Sequence, residues 1–461
     1  MGQEAYAALA GVAQVLLAAI TVITASYVFV FHPLTLPTTP AVWAARVFAT
    51  LTLGAIMLAR RRRVRGIVLV RVLTMCASAA LAAYMVDGYL AWADHREQAQ
   101  LNQQATAPPG ADTRPGAEVV RDLRRSGLDA VQGLYPSLWL GGHSEFRLGD
   151  TEVFPISGIS NALTVLCNES GKWVTYRSDE FGFNNPRGMH QPGAVDAVIL
   201  GDSFAQGLCV GADETFGALI RRHYPRTISL GIGGAGPRMR LAIWREYAEV
   251  LRAPVVVWVH TQGTTDRLDR VTHPILKAYV SDGTFRQGLR SMQGPVDGML
   301  RRMLAQETSA RSVFERFRNV FFMPRVRRLL SDVVRRARDT TAARAERARL
   351  FASVLKATQA GVEGSGGQLI FVYMPTPGRE DSDRDEVTEA ARQVGLPVVD
   401  LSPAFDRHPD VMSIYPHRGV GRRQALEHFN AEGHRLVADA IMRGVEDVLP
   451  LALIERLRQA P

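Results

Sequence analysis

A serine that ends a buried strand at a sharp turn is placed to act as a nucleophile. Val195-Asp-Ala-Val-Ile-Leu-Gly-Asp-Ser-Phe-Ala-Gln-Gly207 contains one. Ala197 to Leu200 is unbroken apolar sequence, as in a parallel strand covered on both faces, where alternation disappears. Gly201 permits the turn and leaves Ser203 where the strand's C-terminal edge meets the next helix. Open α/β sheets build their active sites on that edge. A serine hydroxyl attacks weakly until a neighbouring imidazole accepts its proton, so the chain must also deliver a histidine there.

The elements that would position these groups alternate regularly after Ser203. Glu214 to Tyr224 has a helical pattern, Thr227 to Gly231 reads as a strand, and a helix runs on to about Leu251. Pro254-Val-Val-Val-Trp-Val-His260 is a third strand. A long insertion precedes the strands Gln368 to Met374 and Pro397 to Leu401, and His428 to Val448 forms a closing loop and helix. Repeated β-α units predict a doubly wound parallel sheet. Gly231-Ile-Gly-Gly-Ala-Gly236 lacks the G-x-G-x-x-G spacing and the acidic residue of a dinucleotide site. It reads as a tight turn, as an amide donor to an oxyanion, or as both.

Gly201-Asp202-Ser203, the Gly234 loop and His428-Phe-Asn-Ala-Glu-Gly-His-Arg-Leu-Val-Ala438 together resemble the SGNH/GDSL hydrolase superfamily. Ser178-Asp-Glu-Phe-Gly-Phe-Asn-Asn-Pro186, Gly201-Asp-Ser-Phe-Ala-Gln-Gly207 and Tyr415-Pro-His-Arg418 look like its membrane-anchored bacterial subset. The likeness runs in order over roughly residues 160–450. It implies a three-layer flavodoxin-like fold and serine-based acyl chemistry without a cofactor. Carried over by position, Ser203 is the nucleophile, His428 the general base, and the amides of Ser203 and Gly234 are oxyanion donors. His434 is a rival base, although its helical position suits packing or capping. The family's third motif, Gly-x-Asn-Asp, aligns on Gly263 and Asp266 and puts Thr265 in the asparagine place, with Gln262 or the backbone as substitutes. The acid expected two or three residues before the histidine falls on Leu426 and Ala425, leaving Glu427, Asp400, Asp406 or a backbone carbonyl to orient His428.

Upstream lies an apolar region. Ala5 to Phe31 carries no charge and exceeds the roughly 20 residues a membrane-crossing helix needs. Ala41 to Ala59 and Ile67 to Trp92 are second and third spans. Arg60-Arg-Arg-Arg-Val-Arg65 keeps its junction cytoplasmic, so the N-terminus is inside and everything after Asp94 is periplasmic or extracellular. His95 to about Gly116, polar and rich in Gln, Ala, Pro and Gly, reads as a tether. The hydrolase-like domain then occupies residues 117–450 and a tail 451–461. Outside the membrane Cys167 and Cys209 can form a disulfide holding the active-site loop to the preceding segment, the alternative being two buried thiols.

The net charge of +9 comes largely from arginine. Residues 267–350 form a helical insertion carrying Arg301, Arg302, Arg311 and further arginines through Arg338. This reads as a solvated face, or as a lid over lipid headgroups or an acidic glycan. Nucleic acid is not expected, since base-stacking aromatics are not interleaved. No metal is expected, because His260, His273, His408 and His417 are scattered. The leading expectation is a membrane-anchored serine esterase acting on O-acyl groups of carbohydrate or envelope glycan. The alternatives are an O-acyltransferase using the same nucleophile and a binding protein with a degenerate site.

Overall fold

The computed structural model describes residues 111–136, 146–270, 273–310, 340–379, 383–416 and 428–459, together with Met85, Val86 and Tyr89. The three expected spans (apart from those three residues), most of the tether, Arg311 to Arg338, His417 and Glu427 lie outside the described residues. Among the described residues no helix is long and apolar enough to cross a membrane. Those from 111 onward belong to one compact unit.

Helix α1 (Gly116–Arg125) leads into β1 (Ala130–Gln132), the hairpin β2 (Arg147–Leu148) and β3 (Thr151–Glu152), then β4 (Leu163–Cys167) and β5 (Val174–Arg177). The main body follows as β6 (Ala197–Gly201), α2 (Ser203–Gln206), α3 (Phe216–His223), β7 (Thr227–Gly231), α4 (Pro237–Ile243) and β8 (Val255–Thr261). The insertion supplies α5 (Arg267–Arg270), α6 (Pro274–Ser281), α7 (Gln293–Ala310) and α8 (Thr341–Gly364). The chain closes through β9 (Gln368–Met374), α9 (Arg384–Gln393), β10 (Val398–Asp400), α10 (Ser402–Asp406), α11 (Ala431–Glu446) and α12 (Leu451–Gln459).

Five strands form one sheet in the order β10-β9-β8-β6-β7, every pair parallel. Counted from β6 this is the flavodoxin-like 2-1-3-4-5 order, whose reversal between the first and third strands opens a crevice at their carboxyl ends. The apolar runs predict this sheet because both of its faces are covered. Val198, Leu200, Val256, Trp258, Leu369 and Phe371 point to one core with residues of α4, α6, α8 and α9. Ile199, Val255, Val257, Ile370 and Val372 point to the other, with residues of α3, α11 and α12. Each such aliphatic side chain contributes about 1.5–3 kcal/mol of burial.

A second sheet, β1-β4-β5, lies outside this sandwich, with β1 and β4 parallel and β4 and β5 antiparallel. Two segments are more ordered than their composition suggests. Residues 111–116, read as the end of the tether, are docked: Asp112 N–H donates to Gly171 O at 2.8 Å and Trp173 Nε1 to Arg114 O at 3.0 Å. The end of the chain, read as a tail, forms α12, with Ile454 and Leu457 in the core.

Candidate active site

Strand β6 ends at Gly201, and Ser203 is the first residue of α2. Asp202 caps that helix, its Oδ1 accepting from Phe204 N–H at 3.1 Å, and Gly207 closes it with φ +79°. The short helix can sit against the sheet only because β7 ends in glycine. A Cβ at Gly231 would lie 2.3 Å from the Ala205 carbonyl carbon and from Gln206 N. As the first helical residue, Ser203 has a backbone N–H of the kind a helix leaves unpaired at its start.

Asp202 is fixed from two further directions. Thr261 Oγ1 donates to its Oδ1 at 3.1 Å, and the wholly buried Arg240 donates to its Oδ2 at 3.2 Å. The same guanidinium donates to Ala235 O at 3.1 Å and Val259 O at 2.6 Å, and lies 5.6 Å from the Trp258 ring centroid. Burial pushes Arg240 down to about 10 against the support of Asp202. One cation thus joins the Ser203 turn, the glycine loop and β8.

The glycine loop is a turn closed by Ala235 N–H on Ile232 O at 3.1 Å, with Gly234 at φ +81° as such a turn requires at its third position. Gln206 Oε1 accepts from Gly233 N–H at 2.8 Å, so α2 itself orients the loop. Ser178 to Pro186, which sequence composition makes a turn-rich loop, braces the helix from outside. Asp179 accepts from Phe181 and Phe183 N–H (both 2.9 Å) and Asn185 Nδ2 (2.9 Å), and pairs with buried His190 at 2.8 Å. Asn184 donates to Gln206 O at 2.9 Å, and Asn185 bonds Ser229 of β7.

Across the crevice, the loop before α11 brings His428 to the serine, with Nε2 3.0 Å from Ser203 Oγ. Phe204 packs on both His428 and Phe429, with ring centroids 5.1 and 4.7 Å apart, which fixes the imidazole over the helix. The acid on the far side is one that sequence spacing misses. Glu169 Oε1 lies 2.7 Å from His428 Nδ1. Neither Asp400 nor Asp406 fills that place. Asp400 accepts from Arg384 Nε at 2.7 Å and from Ser402 N–H at 2.9 Å at the end of the edge strand β10. Asp406 ends α10 as an exposed residue. Glu169 belongs to the β4–β5 connection, and Cys167, two residues before it, is disulfide-bonded to Cys209 beyond the serine helix. A carboxylate beside one half of a bridge whose other half follows the serine was the available signal.

His434 is not at the serine. Its Nδ1 accepts from Phe216 N–H at 3.1 Å and its ring stacks on Phe216, so it caps α3 as a neutral base. Complete burial, with His428 nearby, pushes it down to about 3, and its Nε2 has no hydrogen-bond partner among the described residues. An unfolded histidine binds a proton near pH 6.5, so between about 6.5 and 3 the unfolded chain holds a proton the native one lacks. This contribution to stability is present above 6.5 and lost as the pH falls through that window, at about 1.4 kcal/mol per pH unit. Denaturant melts at pH 7 and pH 5 should show the loss, and His434→Gln, which keeps an acceptor for Phe216, should flatten it. An unchanged slope in that variant would remove His434 as the cause.

Thr265 does not offer its hydroxyl to the oxyanion position. Its Oγ1 donates to Asp383 Oδ2 at 3.0 Å, the same oxygen that meets His260 Nε2 at 3.0 Å. Burial opposes the Asp383 charge, but His260, Thr265 and the Gly263 amide outweigh it and hold the carboxyl below its ordinary range. Gln262 Oε1 accepts from Thr376 N–H at 3.0 Å. His260 is fully buried among Phe351, Phe371 and Tyr373 and closes this network. Thr265→Val should therefore lower the turnover number less than about threefold while costing about 1–3 kcal/mol through Asp383. A rate loss of 10²-fold at unchanged stability would restore Thr265 as a donor.

Glu169, Cys209 and His428 bring a carboxylate oxygen, a sulfur and a ring nitrogen within 4.8 Å of one another. The sulfur is spent in the disulfide, and it is the thiolate that binds metals. Among the insertion's described arginines, Arg301 pairs with Asp129 at 2.8 Å and Arg286 Nε with Glu249 at 2.9 Å.

No protein-family model and no curated relative matches the chain. Among solved structures it is similar to a lipase/acylhydrolase from Enterococcus faecalis, at 14% identity and TM-score 0.31, covering 56% of this chain and 97% of that one. It is similar to an alpha/beta hydrolase from the metagenome of Lake Arreo at 18% identity and TM-score 0.29, over 57% of this chain and 100% of the other. A two-domain esterase active on acetylated mannans matches at 12% identity and TM-score 0.31, over 56% of this chain and 51% of that one. At these scores the likeness carries no chemistry from those proteins to this chain.

Proposed function

We propose that this chain is a serine esterase working through an acyl-Ser203 intermediate. The observation that carries the reading is the 3.0 Å contact between Ser203 Oγ and His428 Nε2 at the carboxyl edge of the parallel sheet. His428 takes the hydroxyl proton as Ser203 attacks the ester carbonyl. The oxyanion then meets the amides of Ser203 and Gly234, one at a helix start and one in a turn whose other bonds go through its neighbours. Collapse expels the alcohol with the proton returned by His428, and water repeats the sequence to free the acid. A dyad at bonding distance favours this over a degenerate binding protein.

The acyl carrier we take to be a carbohydrate or envelope glycan, the leading expectation from the sequence. The apolar spans of the N-terminal 94 residues and the Cys167–Cys209 bridge, a bond of oxidising compartments, support an anchored, extracytoplasmic enzyme. Treatment with a fluorophosphonate followed by peptide mass spectrometry should find the adduct on Ser203. Acetate should also be released from an acetylated glycan with no sugar acceptor present, which separates hydrolysis from transfer. An unlabelled Ser203 together with no acid release from any ester ends the proposal.

A further inference from the structure

We infer that Glu169 is the positioning acid of the Ser203–His428 pair, and that the Cys167–Cys209 bridge makes its placement depend on the oxidised chain. This rests on the serine-esterase reading above. A carboxylate 2.7 Å from Nδ1 accepts the proton there and leaves the Nε2 lone pair facing the serine hydroxyl. It also steadies the imidazolium that forms once the proton has moved. Among the described residues the flavodoxin-like sheet supplies no acid for this, since Asp400 is turned to Arg384 and Ser402. The replacement comes from a hairpin of the outer sheet, and a glutamate reaches one methylene further than an aspartate would.

That hairpin is tied to the Ser203 segment by the Cys167–Cys209 bridge. Cys167 ends β4, Glu169 follows in the connection to β5, and Cys209 lies six residues past Ser203 with φ +71°. Leu166, Tyr176, Leu208 and Cys209 pack together around the tie. The Cys209 sulfur is within 4.8 Å of both the Glu169 carboxylate and the His428 ring, so the bridge lies beside the acid–base pair. A dithiol reductant would open it by exchange: its two thiols become a disulfide while the bridge takes two electrons and two protons and becomes two thiols. The β4–β5 ladder then still holds the strands, but the connection carrying Glu169 is no longer fixed to the serine side.

The test uses the full chain and p-nitrophenyl acetate, with kcat and KM measured against pH. Glu169→Gln should lower kcat by at least about 10²-fold with KM within about twofold, the corresponding amide replacement in a worked protease reaching about 10⁴. It should also move the acid limb of kcat/KM to lower pH, and Glu169→Asp should restore part of the rate. Reductant, or Cys167→Ser with Cys209→Ser, should lower the wild-type rate about tenfold but leave the Glu169→Gln rate unchanged, because the two act through one contact. Near-ultraviolet circular dichroism confirms that each protein remains folded. A Glu169→Gln enzyme within threefold of wild type with an unmoved acid limb overturns the positioning role. Equal losses on reduction in both backgrounds overturn the bridge's part. Failure of wild-type Ser203 to take the fluorophosphonate is a different result, and it strikes the esterase reading itself.

Discussion

Replacing Ser203 with alanine should reduce ester hydrolysis by about 10³-fold or more, to whatever the oxyanion donors alone sustain over water. The size follows from the geometry. The hydroxyl is the group within reach of the His428 Nε2 lone pair, and alanine leaves that imidazole with nothing to deprotonate. The fold should be untouched. Ser203 opens α2, whose cap is the Asp202 carboxylate and whose remaining contacts belong to Phe204 and Gln206. Thermal unfolding within about 2 °C of the parent, with the rate gone, is the expected pair of results. A variant that keeps a tenth of the activity on p-nitrophenyl acetate, or that loses the fold, contradicts the assignment of Ser203 as nucleophile.

The second large effect lies beneath the site. Arg240→Met should destabilise the unit by about 3–5 kcal/mol, the range for removing one partner of a buried ion pair. Asp202 would keep Thr261 and the Phe204 amide but lose its counter-charge, and the carbonyls of Ala235 and Val259 would each lose a donor. Methionine fills the volume, so the loss reports on charge and hydrogen bonding rather than on a cavity. At about 2–4 °C per kcal/mol for a unit of this size, the melting temperature should fall by roughly 10 °C. Activity measured below the new transition should fall too, since Asp202 and Ala235 flank Ser203 and Gly234. Removing both charges with Arg240→Met and Asp202→Asn should recover part of the stability. A single variant that melts within 2 °C of the parent would show that the pair is not what joins these loops.

The sheet was legible because a parallel strand covered twice is written as unbroken apolar residues, and Ala197 to Leu200, Val255 to Val259 and Leu369 to Met374 all read that way. Ser203 was legible because it follows such a strand at a glycine turn, and His428 because it stands two residues before Asn430, which caps the closing helix. Glu169 was not, because nothing local requires an acid in the β4–β5 connection. Its partner is 259 residues away, and only the folded arrangement of the outer sheet brings the two together. Thr265 aligned with a donor position, but a hydroxyl has one proton, and buried Asp383 claims it. The docked residues 111–116 and helix α12 escaped notice because Asp112, Trp173 and Leu457 gain their partners across the fold rather than along the chain.

Ser203 and His428 are 225 positions apart. During synthesis, the sheet's first three strands and the serine turn therefore emerge long before the imidazole that meets that hydroxyl. Closing so large a loop carries an entropic cost that grows only as the logarithm of its length, so the late meeting is slow to be reached rather than expensive to hold. On the esterase reading, a nascent or truncated chain ending before the last loop should be inert towards esters however well its strands have paired.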